Sequence, residues 1–138
     1  MVSRLNPYLS FSGNARTAME FYKSVFGGTL ETNTFGEGNM AQDPSDKDKI
    51  MHSMLTAPNG FVLMGSDTPA HMEFKPGNTM TVSLSGDDEA ALTGYWKQLR
   101  EGATSVGMEL AKAPWGDSFG MLTDKFGTPW MINITGTH

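Results

Sequence analysis

Hydrophobic and polar positions along the chain fall into alternating and helical runs in an order that occurs twice. Leu5 to Phe11 alternates, with Tyr8, Leu9 and Phe11 set between Pro7 and the turn residues Ser12-Gly13-Asn14, and predicts an edge-compatible strand. Asn14 reads as an N-cap. Ala18, Phe21, Tyr22, Val25 and Phe26 then recur at helical spacing until Gly27-Gly28 ends the run, which predicts one amphipathic helix. Thr29 to Phe35 alternates and is rich in Thr, a strand pattern, and Gly36 to Asp48 is a polar loop. Ile50 to Ala57 and Phe61 to Ser66 read as strands joined through Pro58-Asn59-Gly60, because Asn-Gly readily takes the positive φ of a tight turn.

After the turn-rich stretch 67–78 the order restarts. Met80 to Ser85 is a strand; Asp87-Asp88-Glu89 opens a helix whose Leu92, Tyr95, Trp96 and Leu99 face the core, and Gly102 closes it. Ser105 to Leu110, Phe119 to Thr123 and Pro129 to Thr135 complete the set as strands. The prediction is an α+β fold of two tandem βαβββ modules with mixed sheets: a single domain over 1–138, with modules at 1–67 and 79–138 and a linker at 68–78. One helix covers one face of each sheet. The other face is left open unless the halves pack together or enclose something.

Residue identity repeats as well as pattern. Met54-Leu55-Thr56 with Gly60 returns as Met121-Leu122-Thr123 with Gly127, a displacement of 67 (127 less 60). Phe21-Tyr22-Lys23 with Val25 and Gly28 returns as Tyr95-Trp96-Lys97 with Leu99 and Gly102, displaced by 74 (95 less 21). An insertion in the first copy accounts for the difference, and Asp43 to Asp48 is its natural place. The repeat implies duplication and a shared cleft where the halves face each other.

A chain of 138 residues buries one core, so the repeat is internal to a domain. The net charge of -5 comes with no Lys/Arg cluster and excludes a nucleic-acid surface. No apolar run reaches the roughly 18 residues of a membrane span, and Met1-Val2-Ser3-Arg4 lacks a signal-peptide core, so a cytoplasmic location is expected. With no cysteine, thiolate nucleophiles, disulfides and zinc-thiolate sites are excluded. His138, at the terminus, is expected to be frayed.

Several motifs occur in order: Asn6-Pro7-Tyr8-Leu9, Gly13-Asn14-Ala15, Phe21-Tyr22 with Phe26-Gly27-Gly28, Lys49-Ile50-Met51-His52, Ser66-Asp67, Trp115-Gly116, and Asp124-Lys125-Phe126-Gly127 with Trp130-Met131-Ile132-Asn133. Together with the doubled βαβββ pattern they resemble the vicinal oxygen chelate superfamily (glyoxalase, bleomycin-resistance proteins, extradiol dioxygenases), and within it the PhnB-like, demethylubiquinone methyltransferase-like subgroup. No nucleotide-binding glycine motif accompanies the methyltransferase label, since Gly36-Glu37-Gly38 precedes no helix. The resemblance implies a homodimer. It also implies a divalent metal held by His and Glu from the first and last strands of each half, positions that fall near Pro7, Met64, Thr81 and Met131 here. Thioethers prefer soft ions such as Cu(I), so we expect no metal site of that kind and no cofactor. His52, His71 and Glu73 remain as an alternative ligand set, against a solvated loop for the latter two.

The candidate site follows from the repeat. His52 shares a strand face with Ile50, Met54 and Thr56, and its repeat mate is Phe119. Histidine is a side chain able to exchange a proton in catalysis, which makes His52 the candidate catalytic group, set against a half-buried histidine bonded to backbone. In the last strand Trp130, Ile132 and Ile134 face the helix, turning Met131 and Asn133 the other way. Trp115, on a Pro-Gly loop, is either a lid over a ligand or a core or dimer contact. Asp67 reads as a turn residue with catalysis as the alternative. The ligand-binding set is therefore Met54, Met64, Trp115, Phe119, Met131 and Asn133. The function expected is binding of a small organic molecule in a metal-free cleft, with no reaction assigned. The alternatives are a divalent-metal-dependent lyase, isomerase or dioxygenase, and a drug-sequestering protein, which the acidic charge permits.

Overall fold

The computed structural model of the protein describes residues 3–136, and its described residues divide into two compact units between Pro76 and Gly77; His138 lies outside the described residues. The first unit contains β1 (Tyr8–Phe11), α1 (Ala15–Phe26), β2 (Thr29–Thr34), a short 3-10 turn (Pro44–Asp46), β3 (Ile50–Thr56) and β4 (Val62–Asp67). The second contains β5 (Val82–Gly86), α2 (Glu89–Arg100), β6 (Ser105–Lys112), β7 (Ser118–Thr123) and β8 (Pro129–Ile134). Each unit is one four-stranded mixed sheet, in the orders β1-β4-β3-β2 and β5-β8-β7-β6, whose first and last strands run parallel. The doubled βαβββ order is thus present in full.

Each helix buries one stripe against its own sheet. In α1 that stripe is Ala15, Ala18, Met19, Tyr22, Val25 and Phe26, meeting Phe11, Leu55 and Leu63; in α2 it is Leu92, Trp96 and Leu99, meeting Leu84, Leu122, Trp130, Ile132 and Ile134. Phe21 and Tyr95, read as core from spacing, are only half-buried at the edges of these stripes.

The two cores carry the same architecture with the sizes exchanged. Phe11 ends β1 and fills the space that Gly65 leaves on β4: a Cβ on Gly65 would lie 3.0 Å from the Phe11 ring. In the second unit the residue ending β5 is Gly86, and the repeat mate of Gly65 is the fully buried Ile132. A second exchange involves the helix. Tyr22 in α1 corresponds to the larger Trp96 in α2, and the buried Ser53 on β3 corresponds to Gly120 on β7. A Cβ on Gly120 would lie 2.9 Å from the Trp96 ring and 3.0 Å from the Leu110 backbone. Close packing leaves no slack for both large residues at once.

Buried carboxylates hold the segments that the sheets do not. Asn14 makes no side-chain capping bond. The start of α1 is capped instead by Asp67 at the end of β4, whose oxygens accept the Ala15 N–H and the Ile50 N–H, both at 2.9 Å. Asp67 is buried, and this use of both oxygens explains why it occupies a strand end rather than the turn predicted for it. In α2 the cap is local, Asp88 accepting from the Ala91 N–H, and the repeat mate of Asp67 is the apolar Ile134. Asp124 closes the β7–β8 hairpin by accepting from the backbone of Phe126 and Thr128 and from the Trp130 indole at 2.8 Å. Asp46, fully buried, pairs with Lys49 at 2.8 Å and takes the Ala70 N–H on both oxygens, which fastens the segment after β4 to the inserted loop.

The bond to Lys49 holds the Asp46 carboxyl below the usual carboxylate range, aided by the Ala70 N–H, and the same bond raises the Lys49 ammonium. A lowered carboxylate pKa contributes stability above its unfolded value that is lost as pH falls through the folded one; a raised lysine contributes below its unfolded value and is lost at high pH. Asp46→Asn should therefore cost most stability near neutrality, and the gap from wild type in urea midpoint should close as pH falls below the ordinary aspartate range. A gap independent of pH would contradict this role. Gly120→Ser, which copies the first unit's residue into the second, should destabilise by about 1–3 kcal/mol through overpacking against Trp96, measured as a lower urea midpoint at unchanged slope. Combining it with Trp96→Tyr should recover part of the loss.

Candidate functional site

Because strand side chains alternate, the helix-free face of each sheet is set once the helix side is known. In the first unit the cross-strand partners Tyr8 and Met64, Met64 and Met54, and Met54 and Glu31 form one continuous row over four strands. The next row holds Ser10 opposite Ser66, and His52 opposite Asn33. The Tyr8 and His52 rings approach to 6.2 Å between centroids. His52, Met54, Met64 and Ser66 are half-buried and Tyr8 is exposed. Asn6, just before β1, points its amide nitrogen at the Met64 sulfur, 3.9 Å away.

The second unit repeats this arrangement residue for residue. Ser83, Met131, Met121 and Met108 make the first row, and Ser85, Asn133, Phe119 and Ala111 the second. Met54 and Met64 of one sheet thus match Met121 and Met131 of the other, and His52 matches Phe119. Asn133 donates from its amide nitrogen to Asp117 Oδ2 at 3.1 Å, while Asp117 Oδ1 accepts the Gly136 N–H at 3.0 Å. Asp117 therefore fixes the Asn133 amide with its carbonyl oxygen as the remaining acceptor. Trp115 sits on the tight turn closed by the Gly116 N–H to Ala113 carbonyl bond, 59% exposed, with its ring 6.5 Å from that of Phe119.

The structure places all the residues read as ligand-binding on these faces or, for Trp115, on the loop beside one. Met54, Met64 and His52 stand together on the first sheet, and Trp115, Phe119, Met131 and Asn133 with the second. Residues that the sequence reading missed are Tyr8, Met108 and Met121. Tyr8 stands three positions from the buried Phe11, an odd separation that puts it on the opposite strand face, a signal that was available; Met108 reaches its place through a register shift on β6 that no alternation rule predicts.

The four positions at which the superfamily resemblance would seat a divalent ion do not form a hard-donor set. Pro7 presents no side-chain donor and its carbonyl accepts the Met64 N–H at 3.1 Å; Thr81 is an exposed hydroxyl; Met64 and Met131 offer thioethers. Hard and borderline divalent ions take oxygen and imidazole donors, so these side chains do not fit one. His71 and Glu73 lie in an exposed segment, where Glu73 faces Lys75 at 3.4 Å. Among the described residues no three His, Asp or Glu side chains converge in a way that could hold a metal. No described helix is long and apolar enough to cross a membrane.

The chain is similar to known proteins in sequence and in fold. Over 94% of its length the chain is 28% identical to protein YjdN of Escherichia coli K12, covering 94% of that protein. It matches the crystal structure of protein PA1353 from Pseudomonas aeruginosa at 39% identity and a TM-score of 0.83, covering 96% of this chain and 98% of that one. It shares the fold of the PhnB protein from Bacillus cereus, with a TM-score of 0.76 at 24% identity over 96% of this chain and all of that one. Residues 4–132 match the family model of the glyoxalase/bleomycin resistance protein/dioxygenase superfamily, and the chain belongs to that family.

Proposed function

We propose that the protein binds a small, largely apolar organic molecule on the helix-free faces of its sheets, without a hard divalent metal. The observation that carries this reading is the duplicated row: cross-strand methionine pairs at matched positions, each with an aromatic or imidazole group one row away. Methionine side chains adapt to irregular apolar shapes, and such a face with a few fixed polar groups has the composition of a ligand surface. The polar groups here are His52, its ring 6.2 Å from that of Tyr8, and the Asn133 amide oriented by Asp117.

His52 is the group suited to move a proton, and Tyr8 is the hydroxyl nearest in kind. A ligand carrying a carbonyl, enol or amide could take a hydrogen bond from either while its apolar part covers Met54 and Met64. No bond-making step is assigned to these residues. Cytoplasmic location and homodimerisation belong to the same proposal, and light scattering should return twice the chain mass.

Trp115 supplies the readout for binding. A screen of carbonyl-bearing and aromatic metabolite-sized compounds should yield ligands that quench or shift Trp115 emission, with the response absent in Trp115→Phe. Met131→Lys, which sets a charge in the methionine row of the sheet beside Trp115, should weaken such a ligand by tenfold or more, about 1.4 kcal/mol, with the far-UV circular dichroism unchanged. Asn133→Ala should weaken ligands with a polar group opposite the amide and spare purely apolar ones. Binding that Met131→Lys leaves unaltered would remove this face as the site.

A further inference from the structure

We propose that the second unit carries a soft-cation site, a three-thioether seat for a monovalent ion of the Cu(I) class formed by Met108, Met121 and Met131. The inference goes beyond organic-ligand binding and does not depend on it. It starts from the mismatch at the superfamily's metal positions, where two of the four, Met64 and Met131, carry thioether sulfur. The chain has 11 methionines and no cysteine, so thioethers are its soft ligands.

The register lines three of them up. Met121 is the cross-strand partner of both Met131 on β8 and Met108 on β6, so the three occupy one row across three adjacent strands. Cross-strand partners share a face, and Met121 is on the helix-free one because its neighbours Gly120 and Leu122 are buried under α2. Met108 reaches the same face by the register shift around Gly107, where a Cβ would lie 3.8 Å from that of Met121. Glu109, the next residue, turns the other way and makes a two-pronged ion pair with Arg100 at the end of α2.

Strand spacing makes the geometry workable. The outer two methionines stand about 10 Å apart across two strand intervals of roughly 4.8 Å. Each has about 5 Å to cover, shared between a side chain with three rotatable bonds and a metal–sulfur bond of about 2.3 Å. Met121 then supplies the third sulfur from directly beneath. Met108 is 52% and Met121 38% exposed, so an ion can enter from solvent. The first unit aligns two methionines in the corresponding row, Met54 and Met64, with Tyr8 and Glu31 in the outer places.

The experiment titrates the full chain, labelled with 13C at the methionine methyls, with Ag(I) nitrate in chloride-free buffer, silver being a redox-inert probe of Cu(I) sites. The methyl resonances of Met108, Met121 and Met131 should shift together at substoichiometric Ag(I), ahead of the exposed Met40, Met72 and Met80. Met121→Leu keeps volume and should weaken the first site by roughly tenfold or more, the scale on which lost support costs a metal site; Met54→Leu should leave that site unchanged. Shifts spread evenly over exposed methionines, shifts led by Met54 and Met64, or a first site indifferent to Met121→Leu would each overturn the proposal. A quench of Trp115 by organic compounds that survives Met121→Leu would separate the two binding functions.

Discussion

The structure depends on one geometric constraint: a single helix lies on each four-stranded sheet, so strand alternation commits half of the side chains to the face under that helix and leaves the rest on the other face. Burial of the covered half drives assembly of each unit. The half away from the helix takes no part in that helix–sheet core, which is why His52, Asn133 and paired methionines can stand there, whereas the core demands apolar, tightly fitted groups.

Duplication made the two covered faces similar without making them identical. Phe11 over Gly65 and Gly86 beside Ile132 are reciprocal solutions of one packing problem, as are Tyr22 with Ser53 and Trp96 with Gly120. Such exchanges preserve total volume, the quantity a core tolerates least change in. The capping arrangements diverged further. Asp67 reaches α1 from a distant strand end and also holds β3, whereas α2 is capped by its own Asp88. The first unit's helix entry is thereby coupled to the order of its last strand, while the second unit's is local.

Most of the architecture was legible in the chain. Alternation and helical spacing identified all eight strands and both helices, with ends displaced by three residues or fewer in most cases. The repeat also paired Met54 with Met121, Met64 with Met131 and His52 with Phe119, and these pairs do occupy matched rows. What escaped were the placements made by partners far along the chain. Asp67 reads as a turn residue, Asp46 as part of a polar loop and Asp124 as part of a motif, yet each is buried with its oxygens occupied by backbone, ammonium or indole N–H groups. Tyr8 gave no hint of the His52 ring, and Met108 depended on a register shift.

The sequence by itself determined the element order, the duplication, the face of strand residues wherever alternation runs without a register shift, and the residue types at the superfamily's metal positions. These follow from side-chain periodicity and residue chemistry, properties local to a few positions. Only the tertiary structure decided which rows form across strands, which carboxylate caps α1, and that three methionines share one line on the second sheet. Those outcomes depend on strand register and on exchanges of volume between residues dozens of positions apart, which no local pattern encodes.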